Sequence, residues 1–420
     1  MGGLRLPEPY RGLPRSIYVL FFANIVNSLG SFVWPFLTLY LTERLGMSKH
    51  GAGQIVTLSA LAYVPGSLFG GKIADHLGRK RVFVVSRLLG ALALVPCAFL
   101  GVSPLIPWLL IATSLLSAAV DPALSAMVAD LTTRRNRQGA FSLLYLGHNI
   151  GFAVGPILAG LLYRHHLPWL FLGDALTTVL SVLLVVVFVR ETLPQHRTEE
   201  AEGVGELPEQ ERAEKGGLLL ALWRRPAVLL FSLVLMVYSF VYVQHAFSLP
   251  VQMRALFPEN GPALYGVLMS VNAVTVVLFT TLITRVTSRF DSTLNIVLGG
   301  LFYAAGFGMI ALIRGIPLFV LSVMIWTFGE IMVATNSSVY LANHTPISHR
   351  GRFRAVLDIV SGTGWAMGPL FMGRLIDRAG VRAVWPLCFL LGLGGSALMV
   401  ALWGAERTRP VKPAEPDTVS

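Results

Sequence analysis

Gly71-Lys72-Ile73-Ala74-Asp75-His76-Leu77-Gly78-Arg79-Lys80-Arg81 is a short polar stretch set between two long apolar runs, at about 52–70 and 82–102. Its glycines permit a tight turn and a close approach of the flanking helices. Asp75 suits a helix amino end, where free backbone amides attract a carboxylate. The cluster Arg79-Lys80-Arg81 holds the turn at one membrane face, because basic side chains enter a bilayer only at high cost. Each flanking run has the length of one crossing, about 20 apolar residues. The unit reads as two membrane helices joined by a basic turn.

Working outward, the same alternation continues along all 420 residues. Apolar runs fall at about 16–40, 52–70, 82–102, 107–129, 140–163 and 168–190, then at 226–249, 264–284, 294–313, 317–341, 353–376 and 384–404. Short loops join them, as in a polytopic bundle. With 54% hydrophobic and 13% charged residues and a mean hydropathy of +0.67, the chain lacks the charge that covers a soluble domain, about 25%. Soluble enzymes and nucleic-acid-binding modules are excluded on that ground. The first 15 residues hold Pro7, Pro9, Pro14 and three arginines, and the run after them is too long for a signal peptide, so it reads as the first span. Cys97 and Cys388 are far apart in apolar runs without metal-ligand spacing, and read as small core residues. No metal site is expected.

The net charge of +11 is distributed by side. The amino tail, the loops after runs two, four, six, eight and ten, and the carboxyl tail hold 25 of the 33 lysines and arginines. Both termini are therefore expected to be cytoplasmic, and the basic surplus needs no nucleic-acid partner. Residues 191–222 carry eight glutamates: Glu191, Glu199, Glu200, Glu202, Glu206, Glu209, Glu211 and Glu214. They read as a flexible cytoplasmic linker between an amino-terminal six-helix bundle, 1–190, and a carboxyl-terminal bundle with its tail, 223–420.

The two halves resemble each other. Gly151, Gly155, Pro156 and Gly160 of the fifth run recur as Gly364, Gly368, Pro369 and Gly373 of the eleventh, each displaced by 213 residues, as are Arg137 and Arg350. A duplicated six-helix unit around a central pathway is a common architecture of secondary transporters. Gly147, Gly151 and Gly155 share one helix face, where missing side chains allow close packing, and Pro156 can bend the helix.

The quoted stretch closely resembles the G-x-x-x-D-x-x-G-R-[KR]-[KR] signature of the major facilitator superfamily. The likeness covers essentially the whole chain, and the series Gly147, Gly151, Gly155-Pro156, Gly160 is similar to a motif of its proton-driven antiporters. The resemblance implies an all-α membrane protein of twelve transmembrane helices in two six-helix pseudo-repeats. It further implies that Asp75 and Arg79, with Asp130 as charge partner and Gly71 and Gly78 permitting the packing, latch one face of the outward-facing state. The corresponding loop of the second half, Arg285 to Asp291, lacks the signature. The arginine that drug antiporters of the family often carry in span four is missing too, with Ser114 and Ser117 in that region.

Four acids fall inside the runs: Asp121, Asp174, Glu330 and Asp358. An ionisable group there is costly and faces a cavity or a partner. Glu330, in mid-span with Thr327 and Ser337 on its face, is the first candidate for carrying a proton or recognising a cation; a structural ion pair or hydrogen bond is the alternative. Asp121 shares a stripe with Ser114, Ser117 and Ser125. His148, flanked by Tyr145 and Phe152, is the third proton candidate. Asp174 and Asp358 lie near span ends, where capping is the expected use. Candidate cavity residues are Asn24, Asn27 and Ser31 of span one, Tyr145 and Asn149 of span five, Tyr238, Tyr242, Gln244 and His245 of span seven, and Trp365 of span eleven. Interhelical packing is the alternative for each.

The chain is expected to be a proton-driven secondary transporter needing no cofactor. It would work as a monomer in the cell membrane and export small amphiphilic or drug-like molecules. Import of a peptide, sugar or metabolite is the alternative within the fold, and a receptor without transport the alternative outside it. No nucleotide-binding loop, HExxH or GxSxG motif supports an enzyme.

Overall fold

In the computed structural model, residues 10–133, 136–192, 226–344 and 350–407 are described. They form helices throughout, with no strand among them. Eleven helices are long and apolar enough to span a bilayer: α1 (Arg15–Arg44), α2 (Lys49–Leu77), α3 (Arg79–Ala98), α4 (Ile106–Leu131), α5 (Arg137–Arg164), α6 (Pro168–Phe188), α7 (Pro226–Leu256), α8 (Gly261–Thr287), α9 (Ser292–Met309), α10 (Ile316–Leu341) and α12 (Val381–Ala405). α11 (Arg350–Ala379) has 30 residues, but Ser361-Gly362-Thr363-Gly364 and its charged ends make it less apolar. The linker expected at 191–222 lies outside the described residues from 193 onward.

The 213-residue displacement is a pseudo-symmetry of contacts. A methyl group placed on Gly53 of α2 would lie 2.2 Å from the Pro369 carbonyl oxygen of α11. The same construction on Gly266 of α8 gives 2.2 Å to the Pro156 carbonyl oxygen of α5. Gly373 meets Lys49 of α2, and Gly160 meets Pro262 and Ala263 of α8. Every pair maps onto its counterpart by the same displacement, so α2–α11 and α5–α8 are two copies of one interface. Within each half the remaining glycines let the backbones touch: Gly147, Gly151 and Gly155 lie against Phe21, Ile25 and Leu29 of α1, and Gly364 against Met236 of α7. The fifth-span series thus does two jobs, its first three glycines packing inside one half and Pro156 and Gly160 facing the other.

Polar contacts between halves gather at one end, remote from the 71–81 loop. Arg254 Nε lies 2.8 Å from Glu43 Oε1. The Asp377 carboxylate accepts from the amides of Lys49 and His50 at 2.9 and 2.8 Å, and Arg164 donates to Asn260 at 2.8 Å. Thr57 reaches the Ala366 carbonyl at 2.6 Å, further along. Toward the 71–81 end Leu61, Val64, Leu68 and Phe69 of α2 are exposed and Gly362 of α11 has no neighbour within 4 Å. The halves are closed at the Glu43–Arg254 end and parted at the basic end.

α1 is interrupted: it runs Arg15–Leu29, then Val33–Leu39 after Gly30-Ser31-Phe32. Amides freed by such a break need partners in a bilayer. Asp174 of α6 supplies them, its Oδ2 accepting from Phe32 and Val33 at 3.2 and 3.3 Å. Asp174→Ala is expected to cost about 1–2 kcal/mol, since it strips an acceptor from two part-buried amides, of which Phe32 keeps the Gly30 carbonyl. Unfolding in detergent checks this: Asp174→Asn, which keeps an acceptor, should lose less, and equal losses would contradict the cap.

Candidate functional site

The 71–81 turn is built differently from its sequence reading. α2 continues to Leu77, and Gly78, at φ +108°, makes the turn. Asp75 is consequently in a last helical turn, 63% exposed, and not at an amino end. The carboxylate at the amino end of α3 is that of Glu191, which accepts from Lys80 and Arg81 amides at 3.0 and 3.2 Å. Arg79 brings the expected latch residues together, 2.6 Å from Asp130 and 3.4 Å from Asp75. These pairs form inside the amino-terminal half. A methyl on Gly71 would only touch Pro122 of α4, at 3.6 Å.

Between α1, α3, α4 and α5 lies a cavity of 420 Å³ lined by Asn24, Asn27, Arg87, Asp121, Leu124, Ser125, Phe141, Leu144, Tyr145 and His148. Three of its members are held in place. Asn24 donates to the Leu144 carbonyl at 2.8 Å, and His148 Nδ1 pairs with Ser28 Oγ at 2.9 Å. The third, Asp121, accepts from the Tyr63 hydroxyl of α2. The serine stripe does not survive, because α4 breaks after Ser117 and restarts at Val120, changing the helical phase. Ser125 stays with Asp121, whereas Ser114 bonds back to Leu110 and Ser117 packs against Gly90.

Arg87 is the residue missing from the sequence reading. Counted with the basic loop in the charge tally, it lies two turns inside α3 and donates from Nη1 to Asn27 Oδ1 at 2.7 Å. A cation therefore does border this cavity, entering from span three and not span four. Its signal was a single arginine after Val82-Phe83-Val84-Val85-Ser86, well past the loop.

The second cluster belongs to the other half. Glu330 of α10 accepts from Asn272 of α8 at 2.8 Å, and the same amide donates to Thr327 at 2.9 Å. Tyr242 of α7 lies beside Glu330. Beside them His245, Trp326 and Trp365 make an aromatic wall: His245 stacks on Trp326 at 5.7 Å, and Trp365 is 5.9 Å from both Tyr242 and His245. Tyr145, 47% exposed, lines the first cavity and lies on the side of it toward Glu330.

Three candidate cavity residues are core instead. Tyr238 is 1% exposed, packed against Gly300 and Gly395, with its hydroxyl 3.1 Å from Ser396 Oγ. Gln244 is fully buried, donating to the Phe240 carbonyl at 2.9 Å and accepting from Ser248 at 2.6 Å. Asn149, also buried, donates to the Tyr145 carbonyl at 2.9 Å. Tyr238 shares an unbroken helical segment with Tyr242 but lies one turn away, where Gly300, Gly395 and Ser396 enclose it, whereas Gln244 follows the interruption at Val243. Among the described residues no three His, Cys, Asp or Glu side chains form a metal-sized group.

A sequence profile described as Major Facilitator Superfamily matches residues 20–369. A Na(+), Li(+), K(+)/H(+) antiporter of Planococcus maritimus is 24% identical over 367 residues, covering 80% of this chain and 84% of that protein. The multidrug resistance protein MdtH of Photorhabdus laumondii is 31% identical over 182 residues, 43% of this chain and 44% of that one. A crystal structure of a POT family transporter in complex with a thioalcohol conjugated peptide superposes with a TM-score of 0.79 at 16% identity, over 95% of this chain and 98% of that one. That likeness concerns the fold. With the duplicated helix interface and the family profile spanning both halves, the chain belongs to the major facilitator superfamily, a family of multi-pass membrane transporters of small molecules and not of enzymes.

Proposed function

We propose that this transporter is a proton-coupled antiporter exporting small amphiphilic or drug-like molecules by alternating access, acting as a monomer in the cell membrane. The observation that carries the reading is Glu330. It is a carboxylate in the middle of a bilayer-length helix, bonded among the described residues to a neutral donor, Asn272, and near Tyr242 and, from the opposite half, Tyr145. A carboxyl there can lose and regain a proton, and each protonation state favours a different approach of the halves. Asp121 and His148 are the relay candidates on the other side of Tyr145. The basic loops support a cytoplasmic location for the parted end; on that reading the conformation is inward-facing, with the Arg79–Asp75–Asp130 group intact.

The glycine series and the likeness to a cation/proton antiporter and to multidrug resistance proteins support export. A solute panel in proteoliposomes under pH gradients of either sign tests this. Solute movement opposite to the imposed proton flow is expected. Movement with the proton flow would make the protein an importer, and no movement of any solute would refute the transport cycle proposed.

A further inference from the structure

Arg87 is poorly compensated for a cation inside a membrane helix. A guanidinium stays charged at all working pH values and presents five donors in a planar fork. Here one donor, on Nη1, meets a neutral acceptor, Asn27 Oδ1, at 2.7 Å. Nε is buried without a partner, and the guanidinium carbon lies 5.6 Å over the Phe83 ring. Among the described residues no carboxylate comes within ion-pair distance of it.

The two acids that act on it electrostatically, Asp121 and Asp174, are engaged elsewhere. Asp174 caps the α1 break and Asp121 holds the Tyr63 hydroxyl. The fork thus borders a 420 Å³ cavity whose other walls hold Asp121, turned to Tyr63, and apolar Leu124, Phe141 and Leu144. Such a cavity matches an anionic head with an apolar body. Of the acids that would attract a cation, Asp121 in this cavity accepts from the Tyr63 hydroxyl and Glu330 of the other half accepts from Asn272.

We propose that the transported solute carries a carboxylate, and that Arg87 is the residue that binds it. This rests on the transporter reading above and narrows its substrate class to organic anions. A charge-assisted, bidentate pair discriminates strongly against a neutral analogue that leaves the fork unpaired.

The test uses one aromatic scaffold bearing a carboxylate, a carboxamide or a quaternary ammonium group, offered to the full-length protein in proteoliposomes. Wild type is expected to move the carboxylate at least about tenfold faster than the amide, the discrimination expected of a hydrogen bond to a charged group. Arg87→Gln should erase that preference, moving carboxylate and amide at equal rates, and any saturable movement of the amide by it shows that it folds. Arg87→Lys should keep a reduced preference, and stands in should the glutamine variant not fold. Equal rates for carboxylate and amide in wild type, faster movement of the cation, or a preference that survives Arg87→Gln would each overturn the inference while leaving transport itself intact. If wild type moves none of the three yet moves other solutes, the anion site alone is wrong; if it moves nothing at all, the transporter reading falls with it.

Discussion

Glu330→Gln is expected to abolish gradient-driven transport while leaving solute exchange intact. A one-unit pH gradient is worth about 1.4 kcal/mol per proton, or about a tenfold solute gradient at one-to-one coupling. Glutamine keeps the size of the side chain and an oxygen that can accept from Asn272, so the cavity is preserved and only the exchangeable proton is lost. Accumulation should therefore fall by about tenfold under that gradient, while counterflow between solute-loaded vesicles and labelled external solute continues. Unchanged gradient-driven accumulation in the variant would show that another group carries the proton. Asp121 and His148 are the next to substitute.

The second large effect concerns the pseudo-symmetric interface. Gly53 and Gly266 each sit where a methyl group would be 2.2 Å from a backbone carbonyl of the other half. Backbone cannot swing aside as a long side chain does, so Gly53→Val and Gly266→Val act as wedges. Overpacking costs about 1–3 kcal/mol per site, and the contacts exist only while the Glu43–Arg254 end is closed. The double variant should shift the population away from that closed state by roughly 30-fold or more. Spin labels at the ends of α2 and α11 would report the longer distance, and turnover would fall because the cycle cannot close. Unchanged distances, or a response at one of the two equivalent sites and not at the other, would contradict the symmetric interface.

The legible and the illegible parts of this molecule divide along physical lines. Spans and repeats rest on hydropathy and on glycine and proline spacing, properties of the chain itself. Gly155-Pro156 and Gly368-Pro369 therefore mark the α5 and α11 interfaces by residue type and spacing alone. Arg79 is likewise readable, because the signature fixes its position and charge, and Asp130 is readable as an acid at the end of span four. Arg87 is hidden by proximity to the basic loop. Its placement depends on α3 beginning at Arg79, which leaves the guanidinium two turns deep.

The breaks in α1, α4 and α7 are equally hidden. Pro35 and Pro122 each stand third in the segments that restart after the breaks in α1 and α4, but the break in α1 is stabilised by Asp174, which is 142 residues away from Phe32 in sequence. Those breaks decide which stripe residues share a face, so an unbroken helical period misplaces Ser114 and Ser117, while Tyr238 is buried by Gly300 and Gly395 of two other helices. Glu330 is conspicuous because a bilayer tolerates few acids, but its neighbours Asn272 and Tyr242 come from two other helices and carry no local signal.

The most direct test of proton-coupled alternating access is to record lumenal pH in wild-type proteoliposomes while a transported solute runs down its own gradient. Proton movement opposite to the solute, starting with its addition and absent from protein-free vesicles, is the result expected of this antiporter. Solute movement with lumenal pH unchanged, at a buffer capacity that would register one proton per solute, would contradict it.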